Sequence, residues 1–421
     1  MKGILKFLGQ LLFVLVLFAI LFTYAMFQGG FVSWFLFYAL MPVLLYYAGL
    51  LFTPIHKWRI ERQLSQSTLN TGGRMTMTVR MHRRFAFPLY YMVVEEQVPE
   101  SLIKRDSPQM RYQIFDGVNT ANTRPSVKRM IHPWFKKEIE CTFSLPEMPR
   151  GAHELTTIRV TTGDIFGFIK KEHVFSVYDE IVVEPATRRV RLLEQRKSFA
   201  QGNMVASGTS LKQTNVVTGV REYMPGDKFS WIDWKQTARK NDIMTKEFEQ
   251  EQSTETMIVM DASCPINLNP AAFEATVEVA LSLMKVLRHS ALQVGFMSIG
   301  EDVRHFPFYH DAEKADAIGQ HLTRVQPTGE ASFADVLRQQ IERNYTGHVT
   351  IVITSYVDEM LGDTLRRMKQ RGKRVTLIYV QASRLIYETD RVLLNQLQRE
   401  GLIVNQLTEK ELIKPMIEVR T

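Results

Sequence analysis

Two uninterrupted apolar runs near the start of the chain limit its folding more than any other feature. No charged residue occurs from Phe7 to Phe27, and none from Phe31 to Phe52. Each run is close to the roughly 20 residues a helix needs to cross a hydrocarbon core. Only Gln28, Gly29 and Gly30 lie between them. So short a link allows little but a tight turn. The expected element is a transmembrane helical hairpin over residues 1–55, with spans of about 7–27 and 31–52.

The flanking charges give the orientation. Lys2 and Lys6 precede the first run, and Lys57, Arg59 and Arg62 follow the second, while the turn carries none. Lys and Arg stay on the cytoplasmic side, so both termini and the large domains are expected in the cytoplasm of a multi-pass cell-membrane protein. Tyr24, Trp34, Tyr46 and Tyr47 are candidate interface anchors, and Pro42 a candidate kink. The competing reading is a signal peptide cleaved near Thr23-Tyr24-Ala25. The first run is long for that purpose, and a second follows at once. Cys141 and Cys264 are the only cysteines, too few for a disulfide framework and in keeping with a reducing compartment. The net charge of +8 suits a protein lying near an anionic leaflet.

Beyond the hairpin the rhythm changes twice. Residues 56–187 read as short strands, among them Met75–Met81, Tyr90–Val94, Glu138–Phe143, Thr157–Val160 and Glu180–Val183, separated by turn formers such as Gly72-Gly73 and Gly163-Asp164. That pattern points to a small β-sandwich. Residues 255–421 alternate strands and helices. Met257–Met260, Val294–Met297, Val349–Ile353 and Val375–Val380 read as buried strands, and the stretches between them carry helical spacing. A doubly wound α/β domain is expected there. Residues 188–254 are polar and link the two.

The linking segment holds the most distinctive residues. Arg221, Glu222, Tyr223, Pro225, Gly226 and Asp227 are followed by Asp233, Trp234, Lys235 and Arg239. Pro-Gly-Asp makes a turn. Mixed charges around a turn suit an ion-pair network that orders the segment, with Trp234 as a large buried anchor. A partner-binding surface is the functional reading of the same residues.

This stretch, with Arg150-Gly151 and Thr162-Gly163-Asp164-x-Phe166-Gly167 ahead of it, resembles the signature of the bacterial family named "domain of unknown function 58". The paired N-terminal helices match as well, so the resemblance covers nearly the whole chain. It implies a C-terminal domain similar to the von Willebrand factor A fold. It also implies partnership with MoxR-type AAA ATPases and association with envelope-related, transglutaminase-like membrane proteins.

In that fold a metal is held by an Asp-x-Ser-x-Ser loop, a Thr and a later Asp, oxygen ligands suited to Mg²⁺. Here Asp261 and Ser263 fit the first two positions, Pro265 replaces the second Ser, and Ser355 stands where the later Asp is expected. Ala331 or Ser332 falls near the Thr position. The expectation is a degenerate loop with no cofactor, in which Asp261 caps a turn or meets a protein partner.

No catalytic constellation stands out. His-x-x-x-His and Cys-x-x-Cys spacings, Gly-x-Ser-x-Gly and the Gly-x-x-x-x-Gly-Lys phosphate loop are all missing from the sequence. His305 and His310 read as surface-loop residues, and Cys264 as a small packing residue. The basic stretch Arg188, Arg189, Arg191, Arg196 and Lys197 lacks a nucleic-acid module, so an anionic leaflet or plain solvation explains it better. The expectation is therefore a membrane-anchored adaptor, not an enzyme, with no nucleic-acid partner. The alternatives are a Mg²⁺-dependent ligand-binding domain and an envelope-related enzyme.

Overall fold

The computed structural model describes residues 2–102, 112, 115, 127–193, 212–224, 227, 229–240, 242–251, 255–289, 293–309, 312–329, 331–344 and 349–421. They form two compact units. The first takes in residues 1–114, 118–186 and 322–324, the second residues 115–117, 187–321 and 325–421.

The first unit begins with α1 (Lys2–Gln28) and α2 (Phe31–Phe52). Both are long and apolar enough to cross a membrane. Gly29 makes the turn with φ of 57°, a left-handed conformation that glycine adopts without steric cost. Pro42 sits inside α2 without ending it.

Two sheets follow. One has the order β1-β3-β6, from β1 (Arg59–Leu64), β3 (Met75–His82) and β6 (Glu138–Leu145). The other has the order β2-β8-β7-β4-β5, from β2 (Thr68–Asn70), β8 (Lys170–Glu184), β7 (Gly151–Gly163), β4 (Tyr91–Glu96) and β5 (Lys128–Ile131). Period-two alternation drives them: Met75, Met77, Val79 and Met81 are buried, and so are Ile139, Cys141, Phe143 and Leu145 opposite them. Both sheets turn apolar faces into one core, and Leu44, Tyr47, Leu50 and Leu51 of α2 belong to it too. The end of the helical hairpin is thus part of the strand-rich core.

Arg62, just beyond α2, is wholly buried. Its guanidinium donates to Glu96 Oε1 at 2.6 Å and to Asp179 Oδ2 at 2.8 Å, and also reaches the carbonyls of Leu155 and Val177. One cation therefore faces two carboxylates. Burial pushes Glu96, the fully enclosed one, up to about 7, although Arg62 pulls the other way.

The second unit is built on a six-stranded sheet of order β14-β13-β12-β15-β16-β17. Its strands are β12 (Thr256–Asp261), β13 (Val294–Ile299), β14 (Val303–Tyr309), β15 (Val349–Thr354), β16 (Arg374–Val380) and β17 (Ile403–Leu407). All pairings are parallel except β13 with β14. β12 and β13 are buried along their whole length, as expected of strands covered on both faces. The covering helices include α4 (Pro270–His289), α6 (Phe333–Asn344), α7 (Glu359–Gln370) and α8 (Glu388–Arg399). Read in chain order the strands run 3-2-1-4-5-6, so the topology switches direction at β12. β14 was not expected from the sequence: His305 lies on it, exposed, and not in a loop, while His310 falls outside the described residues.

Two further pairings complete the unit. β9 (Arg189–Leu193) runs parallel to β18 (Met416–Arg420), and β10 (Lys212–Glu222) runs antiparallel to β11 (Met244–Glu251). Arg188 ion-pairs with the buried Glu278 of α4 and donates to the Leu412 carbonyl. That arginine is a structural tie, not part of a free basic patch. Arg196 and Lys197 lie outside the described residues.

Candidate functional site

The switch at β12 opens a cleft outside the carboxyl end of the sheet, where open α/β folds hold their ligands. Its volume is about 170 Å³. The walls come from the loop after β12, from Gly329 and residues 331–333, and from the loop after β15, with Asp261, Ser263, Ser332, Tyr356 and Asp358 lining it.

Asp261 ends β12 and is buried. Its Oδ1 accepts from the Ser263 amide at 2.9 Å and the Ser263 hydroxyl at 2.6 Å. Its Oδ2 lies 2.6 Å from Thr354 Oγ1. Thr354 Oγ1 in turn lies 2.7 Å from the Tyr356 carbonyl and accepts from the Tyr356 amide at 3.0 Å. Burial pushes the Asp261 carboxyl above the usual carboxylate range, and the nearby charge of Asp358 adds to this. The bonds to Ser263 close a tight turn from Asp261 to Ser263.

Asp358 is the residue the sequence reading missed. Ser355, at the expected position of the later Asp, is buried, and its carbonyl accepts from Gln381. The carboxylate arrives three residues on, because Asp358 is the N-cap of α7 and accepts from the Leu361 amide at 2.7 Å. The signal was present as an Asp followed by a helical run. Two carboxylates, Asp261 and Asp358, and the hydroxyls of Ser263 and Ser332 thus share one cleft. This donor set is hard and oxygen-only, of the kind Mg²⁺ takes, yet Asp261 already spends both oxygens on internal bonds. Among the described residues no three His, Cys, Asp or Glu side chains converge.

The loops around the cleft carry large apolar side chains in solvent. Ile266 is fully exposed, and Tyr356 and Met360 are about half exposed. Ser332 Oγ lies 3.6 Å from Met360 Sδ, which places Met360 at the rim. Cys264 is exposed and lines the cleft, contrary to the expectation of a packed small residue, because its loop turns outward after Ala262.

The linking signature forms a second constellation, held by its own bonds. Arg221, on β10, donates to Asp227 Oδ1 at 2.7 Å and Oδ2 at 2.8 Å, a bidentate pair. These hydrogen bonds hold the Asp227 carboxyl below the usual range. The Met224 amide also donates to Asp227. Asp233 caps α3 (Trp234–Lys240), accepting from the amides of Lys235 and Gln236. Tyr223 bonds through its amide to the Ile243 carbonyl, and its ring meets Phe229 at 6.3 Å. Glu222, Lys235 and Arg239 are exposed. Pro225 and Gly226 lie outside the described residues.

One ion pair, Arg221 with Asp227, and the backbone bonds of Asp233 order the segment, and Trp234 is not its buried anchor. Trp234 is 70% exposed, at the first position of a seven-residue helix that has no buried residue. So short a helix has no inner face to bury a ring that size. Ile232, Met244 and Thr245 fill the interior instead.

Comparison with known proteins places these features in a family. The family described as "Protein of unknown function DUF58" matches residues 219–391, from the signature hairpin through the helix start at Glu388. The "Uncharacterized protein YeaD" of Bacillus subtilis (strain 168) is 32% identical over 374 residues, spanning 88% of this chain and 87% of that protein. Among solved structures, the PilB minor pilin of Streptococcus sanguinis aligns with 77% of this chain and 85% of its own at 9% identity and a TM-score of 0.30. The CARDB domain of the PF1109 protein from Pyrococcus furiosus aligns with 30% of this chain and 92% of its own at 10% identity and a TM-score of 0.20. At such scores neither structure bears on fold or function. The match to the family and the relative that spans nearly the whole chain agree: this chain belongs to the DUF58 family.

Proposed function

We propose that the chain is a membrane-anchored interaction protein that recognises another protein through the cleft at β12. The observation that carries this reading is exposure at the cleft: Tyr356, which lines it, and Met360, beside Ser332, stand in solvent, as does Ile266 one residue past the lining Pro265, while the Asp261 carboxylate is already bonded internally. Exposed apolar side chains around a small concavity suit a partner's surface, with Tyr356 and Met360 as adaptable contacts. The α1–α2 hairpin supplies the anchor, and Lys2, Lys6, Lys57 and Arg59 put both ends in the cytoplasm.

The resemblance to the family suggests the partner, a MoxR-type AAA ATPase that supplies the nucleotide cycle, with the chain as adaptor to envelope-related membrane proteins. The strand order with an antiparallel third strand supports a von Willebrand factor A-like unit. The test is a photo-crosslinking side chain at Tyr356 in native membranes, with identification of the captured protein. Capture of an ATPase that falls when Ile266 or Met360 is changed to Ser supports the reading. No capture from a folded, membrane-inserted variant overturns it.

The second carboxylate, Asp358, favours one other reading, a Mg²⁺-dependent ligand site. Saturable Mg²⁺ binding by calorimetry, abolished by Asp261→Ala and by Asp358→Ala alike, would establish it.

A further inference from the structure

We propose that the turn between β7 and β8, Ile165-Phe166-Gly167-Phe168, dips into the same lipid leaflet as the paired ends of α1 and α2. This rests on the reading that the hairpin spans a membrane.

Three large apolar side chains in this turn are unburied: Ile165 is 61% exposed, Phe166 71% and Phe168 54%. Water is a poor medium for such a cluster, and a monomer's exposed apolar patch usually marks a contact. Its position identifies the contact. The Phe168 ring stacks on Phe13 of α1 at 5.2 Å and meets Tyr47 of α2 edge-on at 6.4 Å. Tyr47 is about five residues, hence about 8 Å, inside the end of α2 at Phe52. At the length of these helices, near that needed to span the core, that depth lies within the apolar slab. A side chain packed beside Tyr47, with its neighbours facing outward, meets lipid.

The backbone of the turn is suited to that medium, where open amides are costly. Asp164 accepts from the Ile169 amide at 2.6 Å and the Phe166 amide at 3.0 Å, and its carbonyl accepts from the Gly167 amide at 3.4 Å. Asp164 itself is buried. Directly after the turn, Lys171 Nζ donates to the Leu51 carbonyl at 2.5 Å and the Thr53 carbonyl at 2.8 Å. It thereby fixes the β-hairpin to the last turn of α2 in one register. Lys170 stays exposed, placed for headgroup phosphates.

The test uses the full-length protein in phospholipid vesicles with Cys264→Ser, which leaves only the buried Cys141. Phe166→Cys, and separately Ile165→Cys, carries an environment-sensitive fluorophore. Quenching by spin-labelled lipid is compared with quenching by aqueous iodide. Leu45→Cys on the exposed face of α2 and Ile266→Cys on the second unit serve as references. Lipid quenching at 165 and 166 several-fold above iodide quenching, as at Leu45 and opposite to Ile266, supports the proposal. Iodide quenching at 165 and 166, or protection from both quenchers, overturns it while Leu45 remains lipid-quenched. Iodide quenching at Leu45 removes the anchor reading and this proposal together.

Discussion

Replacing Asp261 with Asn is expected to leave the second unit almost as stable as before, whereas Asp261→Ala is expected to cost about 2–3 kcal/mol. The difference follows from proton counting. Thr354 has one hydroxyl proton but two close acceptors, Asp261 Oδ2 at 2.6 Å and the Tyr356 carbonyl at 2.7 Å. A proton on Asp261 Oδ2 satisfies all three groups: Asp261 donates to Thr354, and Thr354 to Tyr356. Burial favours that neutral form. Asn reproduces it, with its carbonyl accepting from Ser263 and its amide donating to Thr354. Ala leaves the Ser263 amide and hydroxyl without their acceptor and opens a void in a buried strand end, and an unsatisfied group of this kind costs about 1–3 kcal/mol. At about 2–4 °C per kcal/mol for a unit of this size, Ala lowers Tm by about 5–10 °C and Asn by no more than about 2 °C. Scanning calorimetry of the full-length protein in nanodiscs, at mildly acid and mildly alkaline pH, reads both.

The sign of the pH effect is fixed too. A carboxyl raised in the folded state contributes fully below its unfolded value of 3.8 and loses that contribution as pH rises through the folded value. The Asn variant should therefore gain on the wild type as pH rises. An Asn variant as damaged as Ala at every pH would refute the neutral-acid argument and return weight to the metal reading.

Arg62→Met should destabilise the first unit by about 3–5 kcal/mol, because it strands the buried Glu96, and Glu96→Leu added to it should recover most of the loss in chemical denaturation. The carboxyl of Glu96, at about 7 against an unfolded 4.5, makes its contribution below 4.5 and loses it as pH rises through 7. Glu96→Gln should flatten that part of the Tm–pH curve. Gly49→Leu should lower Tm and loosen the hairpin end, since a Cβ there would lie 2.5 Å from the Phe87 ring, which is itself stacked on Tyr46. Charge reversal at either Arg221 or Asp227 should loosen the signature turn and raise its susceptibility to limited proteolysis, and the double reversal should restore protection; unchanged protection in both single variants would show that the pair does not order the turn.

Much of this architecture could be read from the chain because its causes are local. The two helices announce themselves by composition, and β3 and β12 by period-two alternation or a continuous apolar run. What escaped depends on distant partners. β14 breaks the apolar rhythm with Arg304, His305 and Pro307, and holds its place by antiparallel pairing with β13. β9 reads as a basic linker until β18 lies beside it. Trp234 looks like an anchor by residue type, but a short helix gives it nothing to pack against. Asp261 and Ser263 were legible because they follow a buried strand in the pattern that the family resemblance implies. Asp358 was not, because three residues of loop separate it from the end of β15 and only the helix cap brings it back to the cleft.

The parallel pairing of β9 with β18 has a consequence for biosynthesis. Arg188 and its acceptor at Leu412 lie 224 residues apart, so the first strand of the second unit waits through most of translation for its mate. The first unit, hairpin included, is made and able to fold well before that clasp can close. A ribosome that stops short of Met416 would therefore release a chain whose first unit can fold but whose second unit keeps an open seam beside β9, where a protease would find exposed backbone.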